Sequence, residues 1–475
     1  MATQKKKRPT RRVHPEWTKP ASSPFVDLPN EILTMITQTL SKKDLFSVAR
    51  TCRRLNSFAT SLWLGSPRQY QKLYSKFDEH DEGTSLPFAC FQDLRLCVVN
   101  KPFIPSMTLV FSTKYHYASL GDFIRYITTI PIPQRPVVHI KLRFFQMWQS
   151  LLRSADANAF NIFCTQLVKS ECVASFEIPY HHLGEMQQWL DAKGPHNKPL
   201  FRPPAFTTLT EVHIAPFSNA LIDWFVRSAN ASLIKKLSLG GFLGQRRCAI
   251  PIRRLHLPHL RHLTILGGLF TVSEISSFLS NAAHSSLESI SFGSISQLLS
   301  EMDTRSEEAF LRLPPNKGLP NLTTIAATSV LLLSFLPALE EACPNLERVD
   351  LLSAGWKAGL GEECREVLSW ISRRPAIRCV GLPMQDFRYR DWKCLIADRD
   401  GTVVLPQVVR LACPCVLYAL PFQSDLANVS AVFPGVVEYE LPRKPALFQD
   451  VVEEAKMVWP ALKRLVFYDE IHSLE

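Results

Sequence analysis

The sequence has no stretch that is long and apolar enough to cross a membrane. It contains no run of eighteen or more consecutive apolar residues, which excludes an ordinary transmembrane helix. The first twelve residues are rich in Lys and Arg and lack the apolar core of a secretory signal. We therefore expect no membrane partner and no secretory leader, and a location in the cytoplasm or the nucleus.

Cysteine pairs that would indicate disulfides or zinc are also missing. The twelve cysteines are scattered, and Cys413 and Cys415 have no second pair at zinc spacing. His181, His182 and Glu185 do not form a ligand pattern, because the side chains of adjacent histidines point apart. The sequence predicts free, mostly buried thiols in a reducing compartment, and it predicts neither a metal nor a cofactor.

Patterns of catalysis are absent as well. The chain has no Gly-x-Ser-x-Gly, no phosphate loop that ends in Gly-Lys-Ser/Thr and no His-Glu-x-x-His. Gly240, Gly241 and Gly244 lack the flanking pattern of a dinucleotide-binding loop and are typical of a turn after a strand. The sequence therefore predicts a protein that is not an enzyme.

Positive charge is present, and much of it lies at one end. The 475 residues have a formal net charge of +11, of which residues 1–20 contribute +6 and the rest +5. A basic, disordered tail at residues 1–23 is compatible with a nuclear import signal, with a loose polyanion contact or with simple solvation. No RNA-binding, zinc-finger or basic-zipper pattern accompanies the tail, so the sequence does not favour nucleic acid as a partner.

Residues 24–64 carry the apolar spacing of three short helices. Pro29 and Glu31 favour a helix start, with Pro29 at the first helical position. Ser41 and Asp44 have the spacing of a capping box at the start of a second helix. A unit this small cannot bury three apolar stripes by itself, so one face is left for a partner or for the following domain.

The order of residues in this segment resembles the F-box, the docking module of substrate receptors in Skp–cullin–F-box ubiquitin ligases. Leu-Pro-x-Glu-Ile-Leu opens it at Leu28, Asp44-Leu45 follows, and Cys52-Arg-Arg-Leu-Asn leads to a closing Leu-Trp. In that family the helices pack against a Skp-type adaptor, which connects them to a cullin. The resemblance implies an adaptor-facing or supporting role for Leu28, Pro29, Ile32, Leu33, Ile36, Leu45, Val48, Leu55 and Trp63. Some of these residues must form the small core instead, and the sequence does not separate the two groups.

Beyond residue 90 the pattern apolar-x-x-apolar-x-apolar recurs. Ten units begin at Leu209, Ile234, Leu260, Leu287, Leu322, Leu346, Ile377, Val408, Val436 and Leu462. Weaker units begin at Phe91, Val137 and Val173. In seven of the ten units, Pro stands two residues before the first apolar position, although the 34 prolines among 475 residues predict fewer than one. Proline at that point ends a helix and leads into a strand without removing a ladder N–H.

Helical patterns between these strands complete the repeat. They cover residues 220–229, 272–281, 362–373 and 450–459. The unit of strand, helix, Pro and strand resembles a leucine-rich repeat, in an irregular form that lacks the usual Asn or Cys after the strand. We expect an α+β protein with a three-helix F-box at 24–64, a linker at 65–90 and an irregular α/β leucine-rich-repeat solenoid at 91–475, as in divergent fungal F-box proteins.

The combined patterns predict an adaptor. The F-box would dock a Skp-type adaptor, and through it a cullin, while the repeats bind an unknown target protein. A repeat scaffold that acts outside the ligase is the alternative. Alternating strand positions would face the target, and the candidates for substrate binding are Lys236, His262, Arg348 and Asp350. Basic and hydroxyl residues among these positions would suit an acidic or phosphorylated segment, although ordinary solvated strand residues would look the same.

Overall fold

A computed structural model of the chain describes sixteen segments. They are residues 28–64, 106–111, 127–135, 137–142, 154–178, 202–214, 219–240, 252–266, 272–280, 286–293, 318–352, 362–382, 403–412, 429–441, 448–467 and 470–474. The chain divides into two compact units, residues 1–104 with 121–130 and residues 105–120 with 131–475. The predicted tail at 1–23, the predicted linker at 65–90 and the weak repeat unit at Phe91 lie outside the described residues.

The first unit contains the three predicted helices, α1 (Asn30–Gln38), α2 (Lys42–Ala49) and α3 (Arg53–Leu64). Ser41 caps α2 as expected, because its hydroxyl accepts a hydrogen bond from the backbone N–H of Asp44. Pro29 differs slightly from the expectation. It is the N-cap of α1 rather than its first helical residue, and its carbonyl accepts the first helical bond from the N–H of Leu33 at 3.1 Å.

The strands of the second unit form one sheet in which sequence order and spatial order coincide. Strands β1 to β13 are parallel, and β14 is antiparallel to β13. The first seven are β1 (Ser106–Phe111), β2 (Val137–Leu142), β3 (Val173–Ile178), β4 (Glu211–Ile214), β5 (Lys236–Gly240), β6 (His262–Leu266) and β7 (Ser289–Phe292). The others are β8 (Thr324–Ala327), β9 (Arg348–Leu351), β10 (Cys379–Gly381), β11 (Arg410–Ala412), β12 (Glu438–Leu441), β13 (Arg464–Phe467) and β14 (Glu470–Ser473).

Helices connect many of these strands, as a repeat of alternating strand and helix requires. They are α4 (Ser154–Ser170), α5 (Asn219–Ala231), α6 (Val272–Leu279), α7 (Ser329–Ala342), α8 (Glu362–Ser372) and α9 (Phe448–Val458). Short 3₁₀ segments lie at Ile132–Gln134 and Ile252–Arg254. The four predicted helices correspond to α5, α6, α8 and α9, whereas α4 and α7 were not predicted. Among the described residues, no helix is both long and apolar enough to span a membrane.

The apolar repeat pattern coincides with the strands from β2 to β13, and its described side chains form the core, except that Val137 on β2 is exposed. Val212, Leu237, Leu263 and Ile290, for example, occupy the same position on successive strands and are almost fully buried. Aromatic contacts join this face of the sheet to the helices, as between Phe176 and Trp224. Strands β1 and β14 were not among the units that the sequence predicted, although Ile104, Met107 and Leu109 fit the pattern at β1.

The proline that marks the repeats is the second residue of a tight turn before each strand. The N–H of Leu260 bonds to the carbonyl of Leu257 at 3.1 Å across Pro258, and the N–H of Leu462 bonds to the carbonyl of Trp459 at 2.9 Å across Pro460. Proline suits this turn position because its fixed φ matches the geometry of the turn. The residue before the proline is buried in both cases, so each turn also anchors its strand to the core.

Candidate functional site

Three of the nine residues predicted to face or support an adaptor form the core of the three-helix unit. Leu33 on α1, Leu45 on α2 and Leu55 on α3 are buried. Val48 is half-buried and packs with Leu40 against the cluster that contains Leu45. These side chains therefore hold the three helices together.

Other predicted residues are accessible on α1 or directly before it. Ile32 is 41% exposed, Pro29 is exposed, and Leu28 and Ile36 are half-buried. Met35 is 64% exposed and was not predicted. Met35 follows Ile32 by three residues on the same helix, so helical spacing was a signal that would have included it. Together these residues make an apolar face on α1, which we call the α1 face (Leu28, Pro29, Ile32, Met35 and Ile36).

Polar contacts fix the start of α1 against the other helices. The Arg54 guanidinium on α3 donates to the carbonyl of Leu28 at 2.8 Å and to the side chain of Asn30 at 2.7 Å. The side-chain amide of Asn56 donates to the carbonyl of Ala49 at 2.9 Å. The α1 face is therefore presented by an anchored helix. Trp63 lies in α3, and its side chain is outside the described residues.

The second predicted site lies on the face of the sheet opposite the core, where two rows of residues run across the strands. The first row contains Glu211, Lys236, His262, Ser289, Thr324, Arg348, Cys379, Arg410, Glu438 and Arg464. The second row contains His213, Ser238, Thr264, Ser291, Ala326, Asp350, Gly381, Ala412, Glu440 and Val466. The register thus places all four predicted substrate residues in these two rows.

Charges in the region from β9 to β13 form a connected network. The Arg348 guanidinium donates to both carboxylate oxygens of Asp350, at 3.0 and 2.9 Å, and to Glu440 at 3.1 Å. Arg410 pairs with Glu440 at 2.9 Å and with Glu438 at 2.8 Å. Arg464 extends the network to the second oxygen of Glu438, at 3.6 Å. Three cations and three anions therefore neutralise one another on this part of the sheet.

Small residues on the intervening strands make the network possible. Arg348 on β9 reaches Glu440 on β12, three strand spacings away or about 14 Å between backbones. Cys379 and Gly381 on β10 and Ala412 on β11 lie between them. A Cβ atom at Gly381 would overlap the carboxylate of Asp350, so glycine leaves the space that this carboxylate occupies.

Burial and charge act in opposite directions on the groups of the network. Burial raises the pKa of Asp350 above its ordinary value and outweighs the lowering effect of Arg348. Burial alone lowers the pKa of Arg348, but the charges of Asp350 and Glu440 outweigh it, so its pKa is raised and the guanidinium stays charged. Burial raises the pKa of Cys379 to about 12. Its thiol therefore stays protonated at neutral pH and forms part of the floor rather than a nucleophile.

In the region from β4 to β7, the same two rows contain hydroxyl side chains and an exposed lysine instead of a network of ion pairs. Lys236 on β5 is exposed, and His262 lies beside it on β6 with its Nδ1 2.8 Å from the hydroxyl of Ser289. Ser238, Thr264 and Ser291 line the second row. The structure thus brings Lys236 next to His262 and Arg348 next to Asp350, but it places the two pairs in separate regions of the sheet.

The chain thus contains a three-helix unit and a sheet of sequential strands. Residues 25–64 match the family model described as F-box-like. No curated protein sequence matches the chain significantly. The leucine-rich repeat-containing protein LegL7 from Legionella pneumophila is a similar solved structure, with 14% identity and a TM-score of 0.34 over 80% of this chain and 98% of that chain.

Residues 25–64 are therefore an F-box-like domain, and the sequential parallel strands of the second unit form repeats of the leucine-rich type. F-box domains typically bind Skp-type adaptors, which supports an adaptor role in general.

Proposed function

We propose that this protein is the substrate-recognition subunit of a Skp–cullin–F-box ubiquitin ligase. The match of residues 25–64 to the F-box-like model carries the proposal. The α1 face supports the proposal. Ile32 and Met35 expose apolar side chains on a helix that packs against the rest of the unit through a different residue, Leu33. In this role the protein performs no chemistry itself. It holds a target protein near the ubiquitin-transferring partners of the cullin, in the cytoplasm or the nucleus.

The separation of core and surface on α1 permits a test that leaves the fold intact. Replacing both Ile32 and Met35 with Asp adds charge to the exposed α1 face and should abolish co-purification of the full chain with a Skp-type adaptor. Because both side chains are exposed, the thermal unfolding midpoint should change little. Gln38→Asp, at an exposed position of the same helix, is the matched control and should keep adaptor binding.

The same experiment distinguishes the proposal from its alternative. If the double variant still binds the adaptor, the α1 face is not the docking surface. If the wild-type chain does not bind the adaptor at all, the repeat scaffold outside the ligase becomes the better account. A decisive second readout is the abundance of proteins captured by the chain, which should rise in cells that express the double variant, because captured targets are no longer ubiquitinated.

A further inference from the structure

Fifty consecutive residues of the repeat domain, 224–273, contain no Asp or Glu and eight Lys or Arg. With 43 acidic residues in 475, composition predicts about four in a segment of this length. The whole chain carries +11, the tail +6 and this segment +8, so the 405 residues outside the tail and the segment have a net charge of −3. This segment therefore carries more net positive charge, +8, than the tail, although the tail is more densely charged.

The described cations of this segment are all exposed and lie on neighbouring elements. They are Arg227 on α5, Lys235 and Lys236 at the start of β5, Arg253 and Arg254 in the 3₁₀ segment, and Arg261 before β6. We call these six residues the basic patch. Lys236 and His262 are direct neighbours in the sheet, and the N–H of Arg261 bonds to the carbonyl of Lys235 at 2.8 Å.

Hydrogen bonds attach the 3₁₀ segment to the end of α5. The side-chain amide of Asn230 donates to the carbonyl of Arg254 at 2.9 Å, and its oxygen accepts from the N–H of His256 at 2.8 Å. Asn230 lies five residues before Lys235, which is at most about 17 Å of extended chain. Arg254 lies seven residues before Arg261, at most about 24 Å. These bounds place the backbones of Asn230, Lys235, Arg254 and Arg261 within about 24 Å of their neighbours in the patch, which is within the length of a short extended peptide.

Among the described residues, Asp223, Glu288 and Glu211 lie beside members of the basic patch and do not neutralise it. Asp223 contacts Arg254 at 3.4 Å and Glu288 contacts Arg261 at 3.2 Å, and all four side chains are well exposed. Exposed pairs of this kind are weak and exchange readily with other partners. Glu211 stands opposite Lys236 on β4. Six cations against three anions leave a net positive surface.

We propose that the basic patch binds a strongly acidic protein segment, a run rich in Asp and Glu. A peptide fits better than nucleic acid, because single-stranded nucleic acid is held largely by stacking on aromatic side chains. The aromatic residues of the described part of this segment, Trp224 and Phe225, are buried. The identification of this partner as a substrate rests on the proposed function, whereas peptide binding does not.

The test is binding of a short labelled peptide of alternating Glu and Ser to the full chain, followed by fluorescence anisotropy at low and at high salt. Every protein tested carries Lys5, Lys6 and Lys7 replaced by Gln, which removes much of the tail's own attraction. The triple variant Lys236→Gln/Arg253→Gln/Arg261→Gln should weaken binding about tenfold, and salt should weaken binding by the parent chain. The matched control Arg373→Gln/Arg378→Gln/Lys463→Gln removes the same charge from exposed positions elsewhere in the repeats and should change binding little.

Variants that are expected to bind the peptide more tightly provide a control for misfolding, because a misfolded protein would not gain affinity. Asp223→Asn and Glu288→Gln each remove a carboxylate beside the patch and should tighten peptide binding about twofold. Unchanged binding by the Lys236/Arg253/Arg261 variant, or an equal loss in the matched control, would overturn the proposal. So would tighter binding of a single-stranded DNA of equal charge.

Adaptor co-purification is measured on the same proteins. If peptide binding fails while adaptor binding persists, the ligase role stands and the patch does not. If the reverse holds, the patch stands without the ligase.

Discussion

The regions β4–β7 and β9–β13 have the same fold and the same two rows of outward positions, yet they treat charge in opposite ways. In β9–β13, Arg348 and Asp350 belong to a neutral network that spans five strands and lies over small residues. In β4–β7, Lys236 is exposed beside His262 and next to the basic patch. The difference teaches that a charged residue on a repeat strand indicates a binding surface only when its neighbours leave it accessible.

The largest effect should come from filling the space at Gly381. Gly381→Val places side-chain atoms where the carboxylate of Asp350 lies, and the displaced, largely buried carboxylate loses its contact with Arg348. We expect a loss of about 3 kcal/mol in the free energy of unfolding, measured with urea. Ser291→Val, in the same row on β7, should change stability by less than about 1 kcal/mol. Equal losses at both positions would remove the distinction between the regions.

Double-mutant cycles should show a smaller difference of the same kind. Arg348 and Asp350 are 24% and 12% exposed, whereas Arg261 and Glu288 are 54% and 40% exposed. We expect a coupling energy of about 2 kcal/mol for the first pair. The second pair should give less than about 0.5 kcal/mol. Alanine substitutions and urea unfolding provide both coupling energies. Similar coupling energies would contradict the inference that Arg348 and Asp350 form a partly buried network, whereas Arg261 and Glu288 form a weak, exposed pair.

Removing the anions of the network should make β9–β13 behave like the basic patch. Glu438→Gln/Glu440→Gln leaves Arg348, Arg410 and Arg464 with one carboxylate, that of Asp350, among them. The variant should bind the Glu-Ser peptide about threefold more tightly than the parent at low salt, and the gain should disappear at high salt. Absence of any gain in a folded variant would show that freed cations alone do not create a binding surface.

The smallest effect is expected at Lys236. Its side chain is exposed, and Lys236→Gln should change the free energy of unfolding by less than about 0.5 kcal/mol. Thermal or urea unfolding of the single variant provides the value. A larger loss of stability would mean that Lys236 stabilises the fold. Weaker peptide binding by a Lys236 variant could then not be attributed to the lost surface charge.

Much of the architecture was predictable because local patterns and tertiary packing agree. Units such as Leu260-Leu263-Ile265 specify buried strand positions, and Pro258 specifies the turn before them, so strand and turn follow from the same few residues. The misses have physical reasons. Helix α7 is apolar almost all round, with Pro337 inside it, so it lacks the amphipathic period of a surface helix. Strand β14 pairs antiparallel at the end of the sheet, where the repeat pattern has ended.

The candidate sites were predictable only in part. The nine predicted F-box positions mix core and surface, and the structure assigns Leu33, Leu45 and Leu55 to the core and Ile32 to the surface. Met35 was missed although its spacing was visible. The adaptor-facing and substrate-binding roles of the named residues remain predictions.

The sequence by itself determined the F-box-like helices, the strand positions, the prolines of the turns and the absence of acidic residues from 224 to 273. These are properties of residue type and spacing along the chain. Only the tertiary structure decided which charges meet, because Arg348 and Glu440 are 92 residues apart and become partners through the register of four strands. The solvent accessibility of each charged side chain is likewise set by neighbours that lie far away in the sequence. That accessibility distinguishes the ion-pair network of β9–β13 from the basic patch, which is exposed to a partner.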